Sequence, residues 1–218
     1  MSSENATIVE ELIDIFDREG QFVSTETRKD FGVLNKKSYS ETGELQYMVK
    51  SATAMLVNGN GDYILVQRGM TEDEAGIIDK TVSGHVSSGD DYGETIVREL
   101  KEEVNIDSVI AKDEAEFKRL IEEIDTTKTA VLFQLAVKEI IYKYDGAEPY
   151  EKGFLAGVYT GLYNGEIIEF PDGEAAASIV IKSNEILKKI EENPELYTTS
   201  IAPLIKQYGS QIFDLLNK

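Results

Sequence analysis

The sequence predicts an α/β fold in a single domain, and three observations support this. Two apolar stretches, 47–57 and 63–67, have the composition of buried strands, and the turn-forming sequence Asn-Gly-Asn-Gly-Asp joins them as in a β-hairpin. Between 90 and 104, apolar residues recur at helical spacing opposite acidic ones. The chain has 218 residues, which is enough for one sizeable core, so we expect 1–218 to form one domain.

Residues 1–46 are predicted to form an N-terminal arm ahead of these strands. We expect residues 1–6 to be a frayed tail. The stretch 7–16 fits either a strand or a short helix, whereas 17–25 contains a turn and a returning strand, which together favour a hairpin. A second turn is expected at Thr42-Gly43.

Residues 107–128 interrupt the strand pattern and are interpreted as a helical insertion. The helical periodicity within them covers 113–123. The next apolar stretch, 130–144, fits a buried strand or a helix, and we favour a strand for its second half. A loop is expected at 145–149.

The C-terminal part is predicted to contain two more strands and two helices. The strands cover 153–163 and 175–181. We expect Ser183 to cap a helix over 184–191, and Asn193-Pro194 to end it. A last helix runs to Leu216.

Charge and composition limit the classes of partner. The formal net charge is −19 and the pI about 4.4, so nucleic acid and anionic membranes would be repelled. The absence of cysteine excludes disulfides and thiol chemistry. No targeting segment or apolar run of membrane-spanning length is found, and the cytoplasm is the expected location.

The stretch 84–106, GHVSSGDDYGETIVRELKEEVNI, carries the densest chemical pattern. It begins as a loop of glycine, serine and aspartate, and continues as a helix that Asp90 or Asp91 can cap. Asn105 follows the helix, at a position that favours a left-handed residue. The helix has an apolar face made of Ile96, Val97, Leu100 and Val104.

The opposite face carries Glu99, Glu102 and Glu103, which crowd three like charges within one turn. A divalent metal such as Mg²⁺ would relieve this repulsion, because hard cations take oxygen ligands together with substrate phosphates. Arg98 lies one turn from Glu102 and can orient a carboxylate. The alternative is a solvated acidic face, which is common in a chain with 41 Asp and Glu residues.

Written as a spacing, 84–106 resembles the sequence box of the Nudix hydrolase family, G-x5-E-x7-R-E-U-x-E-E-x-G-U, where U is bulky and apolar. The matching residues are Gly84, Arg98, Glu99, Leu100, Glu102, Glu103 and Ile106. Two positions depart from the pattern. Asp90 replaces glutamate and Asn105 replaces glycine, and both changes keep the chemistry of the position.

The resemblance implies a Nudix-type α/β/α sandwich with a mixed β-sheet, and a Mg²⁺- or Mn²⁺-dependent cleavage of diphosphate compounds. It implies metal ligation by Glu99, Glu102, Glu103 and the Gly84 carbonyl. It also implies catalytic roles for Glu102, Glu99 and Arg98, because a carboxylate must orient or deprotonate the attacking water.

Three basic side chains are candidates for binding the substrate. The resemblance places Arg68, at the end of a strand, towards the substrate phosphates, although a solvated arginine fits the sequence equally well. Lys80 can face a diphosphate or solvent. His85, the only histidine, lies in the loop of the box, and a structural role is the alternative to contact with metal or phosphate.

The flanks of the box are similar to the isopentenyl-diphosphate isomerase branch of the family. In that branch a glutamate near the metal corresponds to Glu151, for which an exposed loop position is the alternative. Glu174 is a similar candidate. That isomerase uses a cysteine and several histidines, whereas this chain has no cysteine and one histidine.

The leading hypothesis is therefore a pyrophosphohydrolase that acts on a nucleoside-diphosphate-linked small molecule. An alternative is a non-catalytic module that senses a nucleotide, with 107–128 as its interaction surface; isomerase-like activity is a weaker one. Dimers are common in the family, so a homodimer remains open. The sequence does not name the substrate.

Overall fold

The structure is a computed structural model that describes residues 11–70, 74–144 and 149–217. The tail expected at 1–6, and 145–148 of the expected loop, lie outside the described residues. The first half of the chain contains β1 (Leu12–Asp17), β2 (Phe22–Thr27), α1 (Arg28–Thr42), β3 (Tyr47–Val57), β4 (Tyr63–Arg68), β5 (Ile78–Asp79), β6 (Val82–His85) and α2 (Tyr92–Val104). The second half contains β7 (Asp107–Ala111), α3 (Glu114–Glu123), β8 (Thr129–Tyr144), β9 (Tyr150–Leu162), β10 (Ala175–Ile181), α4 (Ile186–Glu192), a 3₁₀ turn (Pro194–Leu196) and α5 (Ile201–Asn217).

The strands form one mixed sheet in which β3 is the central member. The main order is β10-β4-β3-β9-β8-β7. Strand β3 is parallel to β9 and antiparallel to β4, β6 and β1. The expected hairpin of β3 and β4 is confirmed. Both orientations occur in one sheet because some connections are tight hairpins and others cross over through helices.

Helices cover both faces of this sheet, which confirms the predicted α/β/α sandwich. Alternate residues of β3 point to opposite faces. Ala52, Ala54 and Leu56 pack with the apolar face of α2. Met55 and Val57 pack with α5. Helix α2 is thereby fixed against the sheet by its apolar side, and its acidic side faces away from the core.

The N-terminal arm contains the expected hairpin and a helix that the sequence did not predict. Strand β1 pairs with β2 and with β3. The described part of 7–16 is therefore a strand and not a short helix. Helix α1 follows, and only Phe31 and Asn35 along it are buried. Phe31 packs against the hairpin, and the Asn35 side chain donates a hydrogen bond of 2.7 Å to the carbonyl of Glu151. So few buried positions leave almost no apolar periodicity to detect.

The passage after the box contains the expected helix but also an unexpected strand. Helix α3 has Asp113 as its N-cap and buries Phe117. Strand β7 precedes it and pairs in parallel with β8 at the edge of the sheet. Strand β8 is extended throughout, which settles the choice between helix and strand. Residues 107–128 therefore form a strand and a helix rather than helix alone.

The C-terminal elements match the prediction except at the start of α4. This helix begins at Ile186, and its N-cap, Glu185, makes no side-chain capping bond. The expectation that Ser183 caps it is wrong, because the Lys182 carbonyl accepts from the backbone N–H groups of Glu185 and Ile186, so that a turn covers 182–185. Among the helices in the described residues, none combines the length and apolar character needed to span a bilayer.

Candidate active site

A cavity of about 1040 Å³ opens beside the acidic face of α2. Its walls come from the box, the paired ends of β8 and β9, the loop 171–174 and the segment 198–200. Six of the predicted site residues line it from the box, namely Gly84, His85, Arg98, Glu99, Glu102 and Glu103. Such a volume is at the upper end of the range for small-molecule sites and exceeds what a diphosphate alone needs.

Local interactions hold the box helix in one orientation. The Asp91 carboxylate accepts from the Glu94 backbone N–H, and the Glu94 carboxylate accepts from the Asp91 N–H, so that both ends of a capping box are made. At the other end, Asn105 adopts the left-handed conformation with φ of 52°. These caps and the buried apolar face confirm the helix predicted over 90–104, and they aim its glutamates at the cavity.

Gly84 lets Glu99 lie directly against the backbone of β6. A Cβ atom at Gly84 would come within 2.0 Å of Glu99 Oε1. No side chain can therefore replace the hydrogen of Gly84 unless the carboxylate moves. The glycine thus forms a cradle in which the Glu99 carboxylate and the Gly84 peptide are adjacent.

Arg98 connects the acidic side chains of the box. Its guanidinium lies 3.0 Å from Glu99 Oε1 and 2.9 Å from Glu102 Oε2. A third carboxylate, that of Glu11, is 4.0 Å away. Arg98 therefore orients two of the three box glutamates, as its spacing from Glu102 suggested.

Burial and mutual repulsion raise the pKa values of two box glutamates. Burial is the main cause for Glu99, whose pKa rises to about 7 although Arg98 opposes the change. Burial also raises the pKa of Glu103 well above its usual range, and the charges of Glu99 and Glu174 add to it. The charged forms are therefore costly here unless a cation accompanies them.

The oxygen donors at this end of the cavity fit a hard divalent cation, because carboxylates and a peptide carbonyl are the ligands such ions take. The cradle at Gly84 supports the fit. Within the part of the chain that the structure describes, however, no three acidic or histidine side chains are already grouped closely enough to hold an ion. Glu102 and Glu99 are turned towards Arg98, so they must rotate to ligate a metal together.

Arg68 and Lys80 line the cavity but are tied to a buried carboxylate that the sequence did not single out. Asp79 Oδ2 lies 3.2 Å from Arg68, and Asp79 Oδ1 lies 3.2 Å from Lys80. The Thr198 hydroxyl also donates to Asp79, over 2.7 Å. Burial, the largest single effect, opposes the charged form of Asp79. The charge and backbone N–H of Lys80, the Thr198 hydroxyl and the charge of Arg68 together outweigh it, so the pKa of Asp79 is lowered.

His85 also lines the cavity, packed against the ring of Phe154 with the centroids 5.7 Å apart. Burial, which is the largest cause, and the nearby charges of Lys152 and Arg28 together lower its pKa to about 3. The imidazole is consequently neutral at physiological pH.

Two acidic candidates lie outside the box, and the structure places only Glu174 at the cavity. Glu174 lines the cavity through the loop 171–174. Glu151 does not line it, contrary to the expectation of a metal ligand there. It alternates on β9 with Tyr150 and Lys152, which face the cavity, and its carboxylate pairs with Lys143 at 2.8 Å.

Sequence reasoning missed several residues that line the cavity from outside the box. These are Glu11, Arg28, Tyr142, Tyr144, Tyr150, Lys152 and Phe154. The β8–β9 register places Tyr142 opposite Lys152 and Tyr144 opposite Tyr150. Alternation along two paired strands is the signal that groups these side chains, but the pairing register had to be known first.

Comparison with known proteins gives a consistent assignment of the domain. A family model described as the NUDIX domain matches residues 48–189. No curated protein matches the chain. Among solved structures, DR0079 from Deinococcus radiodurans is similar with a TM-score of 0.59 and 17% identity, over 90% of this chain and 98% of that one.

Two further solved structures are similar at lower scores. The NUDIX domain of Shewanella oneidensis NrtR, complexed with ADP ribose, has a TM-score of 0.49 and 13% identity, over 81% of this chain and 97% of that one. A C. elegans Ap4A hydrolase has a TM-score of 0.45 and 14% identity, over 77% of this chain and 99% of that one. At such identities the likeness concerns the fold.

Proposed function

We propose a specific activity from one premise: this chain belongs to the NUDIX family of hydrolases that act on pyrophosphate bonds. The activity is a metal-dependent pyrophosphohydrolysis of a diphosphate-linked small molecule, with a nucleoside diphosphate derivative as the expected substrate class. The observation that supports it best is the cradle at Gly84, where Glu99 lies against the backbone at the end of a large cavity.

In this proposal, Glu99, Glu102, Glu103 and the Gly84 carbonyl are the ligands of Mg²⁺ or Mn²⁺. A bound metal would supply positive charge next to the diphosphate and lower the pKa of a bound water. Arg98 holds Glu99 and Glu102 at the edge of the cavity, so that either carboxylate needs only a rotation about its side chain to face the metal. Arg98 is then a positioning residue for the two carboxylates.

A carboxylate of the chain itself can accept the proton of the attacking water. The water oxygen forms a new bond to phosphorus, the bridging P–O bond breaks, and the water's proton passes to a box carboxylate. Glu102 and Glu99 are the candidates for that base, because both border the cavity. Arg68, Lys80 and His85 are proposed to face the bound substrate from the other walls.

The alternative functions gain no specific support. A sensing module without activity would be expected to lack box glutamates, and all three are in place. The isomerase-like branch stays a prediction from the flanks, and its cysteine has no counterpart here. Cytoplasmic location and homodimer formation also stay predictions.

The test is hydrolysis of a panel of nucleoside triphosphates, sugar nucleotides, dinucleotides and isoprenoid diphosphates with Mg²⁺ or Mn²⁺. Glu103→Gln should lower kcat/KM for the preferred compound on the order of 10²-fold or more, with the fold retained. Glu122→Gln on the exposed side of α3 is the matched control, because it removes the same charge away from the cavity. Turnover by Glu103→Gln with unchanged metal dependence would contradict the proposal.

A further inference from the structure

The carboxylate of Asp79 is buried at the wall of the cavity, and both of its oxygens have partners. The residue is only 7% exposed. Its Oδ1 atom accepts hydrogen bonds from the backbone N–H of Lys80 at 2.8 Å and from the Lys80 ammonium at 3.2 Å. It also accepts from the Thr198 hydroxyl at 2.7 Å, whereas Oδ2 faces the guanidinium of Arg68 at 3.2 Å. Asp79 therefore joins β5 to β4 and to the segment before α5.

The segment that supplies Thr198 lies outside residues 48–189, which the family model matches. Two backbone contacts hold this segment beside β5. Tyr197 forms an isolated parallel bridge with Ile78, and the N–H of Thr198 donates to the carbonyl of Ile78 at 2.9 Å. Residues 198–200 thereby reach the wall of the cavity. A part of the chain beyond the matched residues thus contributes to the site.

Lys80 needs a carboxylate partner, because its ammonium is enclosed by protein. The residue is 7% exposed, and Asp79 is the carboxylate paired with it in the described part of the chain. Burial, the largest single effect, opposes the charged form of Lys80. Interactions with Asp79, Tyr142 and Glu103 together outweigh it, so the pKa of Lys80 is raised. These groups come from β5, β8 and α2, and Arg68 of β4 shares the carboxylate with Lys80. Without Asp79, burial would favour the neutral amine.

The backbone beside Lys80 is fixed, so its side chain enters the cavity from a rigid base. Thr81 is completely buried. Its hydroxyl donates to the carbonyl of Ile64 and accepts from the backbone N–H of Leu56 at 2.9 Å. These bonds tie the segment after β5 to β3 and β4. A donor that is held in place before the ligand arrives loses little conformational entropy on binding.

Lys80 acts at the same part of the cavity as the box. The charge of Glu103, a proposed metal ligand, acts on the Lys80 ammonium, and both residues line the cavity. An ammonium carries three N–H donors. Among the described residues Asp79 accepts from one of them, which leaves two for a ligand. A phosphate oxygen is a suitable acceptor, because lysine binds phosphate as a compact charge.

We propose that Asp79 and Thr198 are positioning residues for substrate binding. Thr198 orients the carboxylate of Asp79, and Asp79 holds the Lys80 ammonium at the cavity as a cation for a phosphate oxygen of the substrate. This rests on the proposed function, in that the diphosphate lies beside the box glutamates. Arg68 shares the carboxylate but needs no partner to stay charged, because a guanidinium keeps its proton throughout the physiological pH range.

The first experiment follows the charge of Lys80 by NMR in the full chain, with ¹³C at the ε carbon of every lysine and no metal added. Lys80→Arg identifies the signal. In Asp79→Asn, Lys80 should lose its proton about one to three pH units lower than in the wild type, because an adjacent opposite charge has an effect of that size. Asp14→Asn removes a carboxylate of the hairpin outside the cavity and should leave the titration unchanged. An unchanged titration in Asp79→Asn would overturn the proposal.

The second experiment measures binding of methylenediphosphonate, a diphosphate analogue with a P–C–P bridge, by calorimetric titration in the presence of Mg²⁺. Thr198→Val should weaken binding about threefold, as expected for the loss of one hydrogen bond. Thr25→Val is the matched control, because the Thr25 hydroxyl donates an equal bond of 2.7 Å to Asp14 outside the cavity. This control should bind the analogue as the wild type does. Thr198→Val that binds equally well would overturn the role of the hydroxyl.

A double-mutant cycle separates positioning from direct contact with the ligand. In a Lys80→Met background the effect of Thr198→Val should become smaller, because the hydroxyl acts through Asp79 on Lys80. An equal effect in both backgrounds would mean that the hydroxyl itself contacts the ligand, and would overturn the positioning role. Valine has nearly the shape of threonine, so this cycle decides the question even if Asp79→Asn does not fold.

The pH dependence of binding adds a result that loosened packing alone would not give. The Kd of Asp79→Asn relative to that of the wild type should rise with pH, because Lys80 loses its charge earlier in the variant. The ratio cancels the titration of the analogue itself. Asp79→Asn/Lys80→Met should show no such rise. A ratio that does not change with pH in Asp79→Asn, or wild-type protein that binds no analogue, would overturn the proposal. Binding without hydrolysis of any compound would contradict the proposed function and leave the roles of Asp79 and Thr198 standing.

Discussion

At Gly84 a missing side chain decides where the Glu99 carboxylate can lie. Glu99 Oε1 occupies the space that a Cβ would take, and the peptide of Gly84 becomes accessible beside it. From the sequence alone, Gly84 was identified only as the first residue of the box 84–106. Its physical role, a close approach of carboxylate and backbone, depends on β6 and α2 being packed together, and no local pattern encodes that contact.

Gly84→Ala tests this role. The added methyl group would push Glu99 away from the backbone, and a displacement of about 1 Å at a catalytic group can lower turnover about 10²-fold. We expect that loss in kcat/KM with the metal present, measured on the preferred compound. Gly32→Ala in α1 is the control, because its Cβ would meet no atom within 4 Å, and alanine favours the helix. Equal activity of the two variants would contradict the cradle.

His85 offers a test by titration. Its folded-state pKa of about 3 lies below the ordinary value of 6.5, so the unfolded chain takes up a proton first as the pH falls. This contribution to stability is complete above about pH 6.5 and is lost progressively towards pH 3. Since the chain has one histidine, its imidazole NMR signal is unambiguous, and without metal or phosphate we expect no titration between pH 8 and 5.5.

The matched variant is His85→Gln, whose free energy of unfolding in urea should fall less than that of the wild type between pH 7 and 5.5. An NMR midpoint near 6.5 in the wild type would show that the imidazole is neither buried nor close to Lys152 and Arg28.

Among the elements, α2 and α1 show what sequence can and cannot predict. Helix α2 was predicted together with its caps because it carries an apolar stripe, an N-cap aspartate and a left-handed Asn105 in one local pattern. Helix α1 was missed because it buries only Phe31 and Asn35 and owes its position to the hairpin and to β9. Strand β7 was missed for a related reason, since its pairing with β8 is a tertiary contact.

The C-terminal cap of α2 can be tested through Asn105. Its φ of 52° is a conformation that glycine adopts freely and that most side chains resist. Asn105→Ala should lower the free energy of unfolding by about 1 kcal/mol more than Asn105→Gly does. Both variants lose the hydrogen bond from the Asn105 amide to Glu169, so their difference isolates the backbone. Urea denaturation measures it, and equal stabilities would contradict the strain argument.

On the scale of the whole molecule, one cavity combines the box glutamates with basic residues from distant parts of a chain of net charge −19. The sequence predicted the acidic residues, because they are contiguous. It could not predict that Arg28 and Lys152 join them, because these two come from α1 and β9, more than a hundred positions apart.

Addition of metal should stabilise the whole domain. A ligand that binds only the folded state at one hundred times its Kd adds about 2.7 kcal/mol. For a domain of this size each kcal/mol raises the Tm by about 2 to 4 °C, so saturating Mg²⁺ should raise it by roughly 5 to 10 °C in a thermal scan. EDTA should reverse the shift and Glu103→Gln should abolish it. An equal shift in Glu103→Gln would place the stabilising ion elsewhere.

The parallel pairing of β3 with β9 sets the order of events during synthesis. A hydrogen bond joins Thr160 to Met55 across 105 residues of sequence. At ribosomal rates of about 5 to 20 residues per second, β3 waits roughly 5 to 20 s for this partner. During that time an apolar strand emerges with one edge unpaired, so the nascent chain is most exposed to aggregation, and most dependent on chaperones, before β9 has left the ribosome.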